Sequence, residues 1–326
     1  MINSSTKTKV VGVDIGREIT TYAIVDVRGK IISSETFPTP LDSDINGLIT
    51  NLCNRIITII ENTDAYENIR SIGISAPSSN FMTGSIVNPT NLPWSGEIPL
   101  AAMLRDRLGL AVAVGNDAHV RALGEATYGC AHGMKDFIFI SLGHGFGSCF
   151  FSNGHAHLGN NGFAGEIGHC NIYPDGRLCS CGHHGCLEAY CSSDGIITTA
   201  KELMASTDKP TMLSDYDTID PRIIYECCER GDELSIEVFR KTGFILGMGL
   251  ANYASITNPE AIILTGGISK AGKWLLEPTN ESFEQHVFHN IANKVKFMYS
   301  SLADNERNVL GAGALAWYVK EYSLFI

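Results

Sequence analysis

A chain of 326 residues, 44% hydrophobic and 18% charged, is too long for one ordinary core. It has the make-up of a globular α/β protein of two domains, which sets aside disordered and fibrous classes. A net charge of -11 with no cluster of Lys and Arg speaks against direct nucleic-acid binding and for a small-molecule partner.

No run is long and apolar enough to span a bilayer. The opening MINSSTKTKVVGVDIG lacks the features of a secretory signal, so no membrane partner and a cytoplasmic, reducing address are expected.

From Val10 to Asp26, VVGVDIGREITTYAIVD alternates apolar residues around glycines and turns at Arg28-Gly29 into KIISSETF, which predicts a β-hairpin or meander. Between Ile45 and Ile60, Leu48, Leu52, Ile56 and Ile60 recur at helical spacing, with Ile49, Cys53 and Ile57 beside them: an amphipathic helix. Ser71 to Ala76 is a short strand ended by Pro77, and Ala111 to Val114 another ended by Gly115. At Phe137 a second cycle begins, FIFISLGHGFGSCFFSNG, which repeats the first hairpin in outline and suggests two related halves. A long helix (Leu234 to Ile256), a strand (Ala261 to Thr265) running into Gly266-Gly267, and a closing helix (Gly311 to Lys320) follow. The pattern predicts mixed sheets covered by helices, with a ligand cleft expected between the halves.

The segment Gly165 to Glu188, GEIGHCNIYPDGRLCSCGHHGCLE, places His169 ahead of Cys179, Cys181 and Cys186. One imidazole and three thiolates form a tetrahedral set for structural zinc, with no position left for a catalytic water. Gly182 and Gly185 allow the tight fold that brings the sulfurs together. An idle cysteine-rich loop is the alternative, and such close spacing in a reducing compartment argues against it. His183 and His184 are read as solvated loop residues. Cys170 and Cys191 are assigned to packing, and Cys53, Cys130, Cys149, Cys227 and Cys228 to the role of small buried hydrophobes.

Gly165-Glu166-Ile167-Gly168-His169 followed by Cys179-Ser180-Cys181-Gly182 through Gly185-Cys186-Leu187-Glu188 resembles the signature of the ROK family of sugar kinases and sugar-responsive repressors. The likeness extends over nearly the whole chain: VGVDIG at the start, GNDA at Gly115 to Ala118, ALGE at Ala122 to Glu125, and NPEAIILTGG at Asn258 to Gly267. The stretch ISAPSSNFMTGSIVNPTNLPW is similar to the glucokinase-like branch.

The resemblance implies a two-domain actin-like ATPase fold of the hexokinase and ribonuclease H type: a small domain over 1–116 joined by the C-terminal helix of about 311–326, and a large domain over 117–310 that carries the zinc loop 165–188. It implies phosphorylation of a hexose 6-hydroxyl by Mg-ATP, with Asp117 as general base and a homodimeric assembly. Asn91, Asn116, Glu166, His169 and Glu188 would bind the sugar. Asp14, Gly16, Thr20, Gly143, His144, Gly145, Gly147, Gly266 and Gly267 would meet the nucleotide. Taken alone, the Asn116-Asp117 pair would be read as a helix N-cap.

The chain departs from the family at its phosphate loops. Asp14-Ile15-Gly16 is followed by Arg17-Glu18-Ile19, with Thr20 and Thr21 displaced by two positions, and His144 replaces a threonine in the second loop. Thr265 stands where glycine is common, and Asp304-Asn305-Glu306-Arg307 replaces the usual approach to the last helix. These changes define the alternative: a sugar-binding regulator with weak or no kinase activity. With a strand beginning at Val10, no helix-turn-helix of its own is expected.

Overall fold

The computed structural model describes residues 7–40, 44–89 and 92–319. In chain order, β1 (Lys9–Ile15), β2 (Ile19–Asp26) and β3 (Ile31–Pro38) lead to α1 (Ile45–Asn62) and β4 (Ile69–Ala76). The short strands β5 (Ser79–Asn80), β6 (Ser85–Val87) and β7 (Glu97–Ile98) precede α2 (Leu100–Leu108), β8 (Ala111–Asn116) and α3 (Asp117–Tyr128). Then come β9 (Phe137–Leu142), β10 (Phe146–Ser152), β11 (His155–Ala156), α4 (Glu188–Cys191), α5 (Ser193–Ala205), α6 (Pro221–Glu229) and α7 (Glu233–Thr257). The chain ends with β12 (Ala261–Thr265), α8 (Lys273–His286), β13 (Lys296–Tyr299) and α9 (Arg307–Tyr318). No helix among the described residues is long and apolar enough to cross a membrane.

Two compact units result. One is Met1–Gly133 with Leu158–Phe163 and Ser301–Ile326; the other is Met134–His157 with Ala164–Ser300. Each is built on a five-stranded sheet, ordered β3-β2-β1-β4-β8 in the first and β11-β10-β9-β12-β13 in the second. In both, three strands form an antiparallel meander, and the first of them is continued by two parallel strands. The two halves suggested by the repeated hairpin are therefore present as two sheets of one topology.

In the first unit, α1 begins where the Asp44 carboxylate accepts the Gly47 amide at 2.8 Å, and it buries Leu48, Ile49, Leu52, Cys53, Ile56, Ile59 and Ile60. The face of that sheet under α9 is kept flat by glycine. Gly12 and Gly73 are partners across β1 and β4, and a Cβ on either would come within 2.2 Å of Val309 O or 1.9 Å of Ala312 O. Only hydrogen side chains admit the helix backbone so closely.

Helix α3 also packs on α9, where a Cβ on Gly124 would lie 3.0 Å from the Gly311 Cα. This contact carries the first unit past the expected boundary at 116/117 to Gly133, and the loop ahead of α9 brings the return forward from 310/311 to Ser301. In the second unit α7 and α8 cross with equal intimacy, Gly247 facing Thr279 O.

Candidate active site

In the first unit the two sheet-end residues at β8 share out two roles. Asn116 caps α3, its Oδ1 accepting the Ala118 amide at 2.9 Å. Asp117 opens the helix, takes the same amide on Oδ1 at 2.9 Å, and sets Oδ2 3.3 Å from Arg121 Nη2. Its side chain keeps 32% exposure.

Asp14 sits at the end of β1 in parallel register with Ser75. Ser75 Oγ donates to its Oδ1 at 2.8 Å and Asn308 Nδ2 to its Oδ2 at 2.7 Å, while Arg121 Nε donates to Asn308 Oδ1 at 2.9 Å. Burial pushes the Asp14 carboxyl above the ordinary range; Arg121, Ser75 and Asn308 oppose the rise, and Asp117 adds to it. Asp14 and Asp117 are thus two carboxylates on one polar network. Sequence reasoning missed Ser75, Arg121 and Asn308. Arg121 stands four residues after Asp117 and was legible as a helical neighbour, whereas Asn308 gave no local signal.

The turn after Asp14 is closed by Gly16 N donating to Ile19 O at 3.1 Å. Thr20, expected among the nucleotide contacts, is fully buried. Its hydroxyl pairs with that of Thr39 at 2.9 Å, and Thr39 Oγ1 donates to Gly16 O at 2.8 Å. Thr20 therefore braces the turn from within rather than offering a hydroxyl outward, which corrects that expectation. Arg17 and Glu18 are exposed on it. Asn91 lies outside the described residues.

In the second unit the glycine turn Gly143 to Gly147 joins β9 to β10, with His144 exposed at its tip. Gly143 O accepts both the amide and the hydroxyl of Ser193, at 2.8 and 3.0 Å. Thr265, at the end of β12, pairs in register with Ser141, so Gly266 and Gly267 leave the same edge of the sheet as the glycine turn. Gly266 has φ +92°, and a Cβ there would meet Leu142 O at 2.1 Å. The sheet edge where parallel strands end is the usual place for ligands in such folds. Thr265 Oγ1 is buried without a hydrogen-bond partner, and nothing in the structure explains the residue.

His169, Cys179, Cys181 and Cys186 converge, their ligand atoms all within 4.8 Å of one another. Cys179 Sγ lies 3.7 Å from His169 Nδ1 and Cys181 Sγ 3.7 Å from Cys186 Sγ. Ligands on a tetrahedral zinc stand about 3.5–3.8 Å apart, so the donor set fits that ion. The loop closes on Gly182 (φ +88°) and Gly185 (φ +71°), the latter pressed against Tyr173 O. His183 and His184 are exposed and stand outside the group. Cys53, Cys149, Cys191, Cys227 and Cys228 are buried as expected, but Cys170 is exposed, and Cys130 is half-buried with its thiol donating to Glu125 Oε2 at 3.3 Å.

Glu188 ties the parts of this unit together. Its Oε2 accepts the Phe146 amide of the glycine turn at 2.9 Å, and its Oε1 accepts the Ser180 hydroxyl of the cysteine loop at 2.8 Å. The turn carrying the exposed Glu166 and His169 is seated on the same phenylalanine, with Gly168 against Phe146 Cβ, and is pinned by Ser148 Oγ donating to Gly165 O. A cavity of about 560 Å³ opens beside Glu188, lined in part by His144, Ser180, Asp194 and Thr198.

The family model described as "ROK family" matches residues 10–318. The chain belongs to the ROK family. It is 32% identical to a glucokinase of Halalkalibacterium halodurans over 317 residues, 95% of this chain and 94% of the relative. A xylose repressor of Caldicellulosiruptor bescii is 27% identical over 299 residues, 90% of this chain and 75% of the repressor. Among solved structures, a ROK family glucokinase from Streptomyces griseus in complex with glucose and AMPPNP matches with TM-score 0.75 and 30% identity, covering 95% of this chain and 99% of that one. The fold is accordingly the mixed α/β, two-domain actin-like fold of ROK sugar kinases.

Proposed function

We propose that this ROK protein is an ATP-dependent hexose kinase of the glucokinase type, with Asp117 as the general base. The observation that carries the reading is the division of labour at the start of α3. Asn116 supplies the N-cap and shares the Ala118 amide with Asp117 Oδ1, so the Asp117 side chain stays partly exposed with its second oxygen, Oδ2, beside Arg121. It takes the proton of the 6-hydroxyl, whose oxygen attacks the γ-phosphorus as the bond to the ADP oxygen breaks. Asn116, Glu166, His169, Glu188 and Asn91 hold the sugar, whose hydroxyls both donate and accept.

Zinc, when bound, supplies rigidity. His169, Cys179, Cys181 and Cys186 would hold it. With Nδ1 of His169 on the side of the thiols, Nε2 is the nitrogen left to donate to a sugar hydroxyl. Gly143, Gly145, Gly147, Gly266 and Gly267 offer backbone to the phosphates and adenosine, and His144 offers an imidazole donor in place of a threonine hydroxyl. Asp14 serves Mg-ATP as an anion toward the cation. The relatives' names support sugar and ATP as ligands, and a homodimer is part of the same proposal.

A coupled assay over glucose, mannose and N-acetylglucosamine, on protein carrying one zinc per chain, tests the reading. Sugar-dependent ADP release is expected from the wild type, and none with any of the three sugars would overturn it. The exposed Glu18 and the His144 substitution favour a second reading, a sugar-binding regulator. Calorimetry that finds tight sugar binding and no ATP binding would establish that one instead.

A further inference from the structure

We infer that Ser180, the residue between the first two cysteines of the metal loop, is a positioning residue for sugar recognition: its hydroxyl holds the Glu188 carboxylate in the orientation that binds hexose. The inference rests on the reading of Glu188 as a sugar contact.

Three observations meet at this point. Glu188 is held at both oxygens, by the Ser180 hydroxyl at 2.8 Å on Oε1 and by the Phe146 amide at 2.9 Å on Oε2. Held at both oxygens, the carboxylate has a fixed plane and still keeps lone pairs to accept from sugar hydroxyls. Secondly, Cys179 Sγ lies 3.6 Å from the same Oε1 and 3.9 Å from Ser180 Oγ. At 2.8 Å the Ser180 hydroxyl is the closer of the two groups that the loop sets against Oε1, and its geometry is that of a full hydrogen bond. Thirdly, Ser180 and Glu188 line the same cavity of about 560 Å³, so the held carboxylate borders open space.

Glycine or alanine at this position would leave the metal ligands intact and remove the donor. The role is therefore separable from metal binding, unlike that of the flanking cysteines.

The test compares Ser180→Ala and Ser180→Thr with the wild type, each at full zinc occupancy verified by elemental analysis. Affinity is measured calorimetrically for whichever of glucose, mannose and N-acetylglucosamine the wild type binds most tightly. Loss of one hydrogen bond to a charged group predicts a dissociation constant raised about tenfold in the alanine variant. The sugar KM should rise in parallel, with kcat and the KM for ATP changed less than about twofold. Threonine, which retains the hydroxyl, should restore most of the affinity. Unchanged affinity in Ser180→Ala, loss of zinc together with affinity, or a threonine variant as weak as alanine would each overturn the inference. A wild type that binds a hexose but does not phosphorylate it defeats the kinase reading alone, and Ser180 is then judged on affinity. A wild type that binds none of the three sugars defeats both.

Discussion

The two sheets share strand order and direction, yet the turns that link their first two strands are braced by different chemistry. In the first unit the turn after Asp14 is fixed from inside by the hydroxyls of Thr20 and Thr39, scaffold groups out of reach of ligands. In the second the glycine turn is fixed at Phe146, whose amide donates to the carboxylate of Glu188, a proposed sugar contact. A repeated frame keeps its register because slipping one residue would turn every core side chain outward. Its turns are under no such constraint. One turn is thus braced by buried hydroxyls, and the other shares its bracing between Ser193 on Gly143 O and a proposed sugar contact.

The largest effect is expected where the first unit contributes chemistry rather than scaffold. Asp117→Asn keeps the size and the contact to Ala118 N but cannot accept the proton, so kcat should fall by about 10²–10⁴-fold, with sugar affinity much less affected. Steady-state kinetics and calorimetry on one preparation separate the two quantities. A variant that keeps more than about a tenth of wild-type kcat would assign the proton to another group.

Next in size is a stability effect confined to the first unit. Glu125 is fully buried, accepts the Cys130 amide at 3.0 Å, and faces Arg307 Nε at 3.9 Å; Arg307 also bonds Asp304 Oδ1 at 2.9 Å and Leu302 O at 2.8 Å. Arg307→Ala leaves a buried carboxylate without its cation, which should cost about 3–5 kcal/mol in chemical denaturation. Glu125→Gln, which retains an acceptor for Cys130, should cost less. The second unit has a contrasting solution: Asp232, at the head of α7, is satisfied by the neutral groups of Thr211, Met212 and Ser235. Equal costs for both Glu125 and Arg307 variants would show that packing, not charge, holds α3 to α9.

Much of this frame was legible in the sequence, for identifiable reasons. The period of Leu48, Leu52 and Ile56 marks α1 because a buried stripe must recur at helical spacing. The cysteine loop was legible because its ligands are close in sequence and its glycines fall where φ is positive. What stayed hidden depends on contacts between distant segments. Nothing near Asn308 announces that it will reach Asp14, almost the whole chain away. The boundary expected at 116/117 missed the packing of α3 on α9 for the same reason. Thr20 was misread because a hydroxyl near a phosphate loop looks like a ligand contact until its burial is known.

A smaller effect sharpens the contrast through pH. Burial raises the Asp14 carboxyl above the ordinary range, so on acidification it takes up its proton at a higher pH than an exposed aspartate would. If its anion serves the magnesium of Mg-ATP, the acid limb of kcat/KM for ATP lies correspondingly high. Ser75 opposes the rise by donating to the anion. Ser75→Ala should therefore move the acid limb to still higher pH while leaving the alkaline side in place. A limb that stays put would place the relevant titration elsewhere.

The smallest change is expected at the second turn, and it separates backbone from side chain. The amides of Gly143 to Gly147 are independent of residue type, so the exposed His144 can only add to or subtract from what they provide. His144→Thr returns the family's hydroxyl, and the KM for ATP should change by no more than about fivefold, one hydrogen bond's worth. His144→Ala, which removes the imidazole without supplying a hydroxyl, decides whether the side chain takes part. An alanine variant with the ATP affinity of wild type would mean that the imidazole does not touch phosphate, and that the second turn binds nucleotide through its backbone alone.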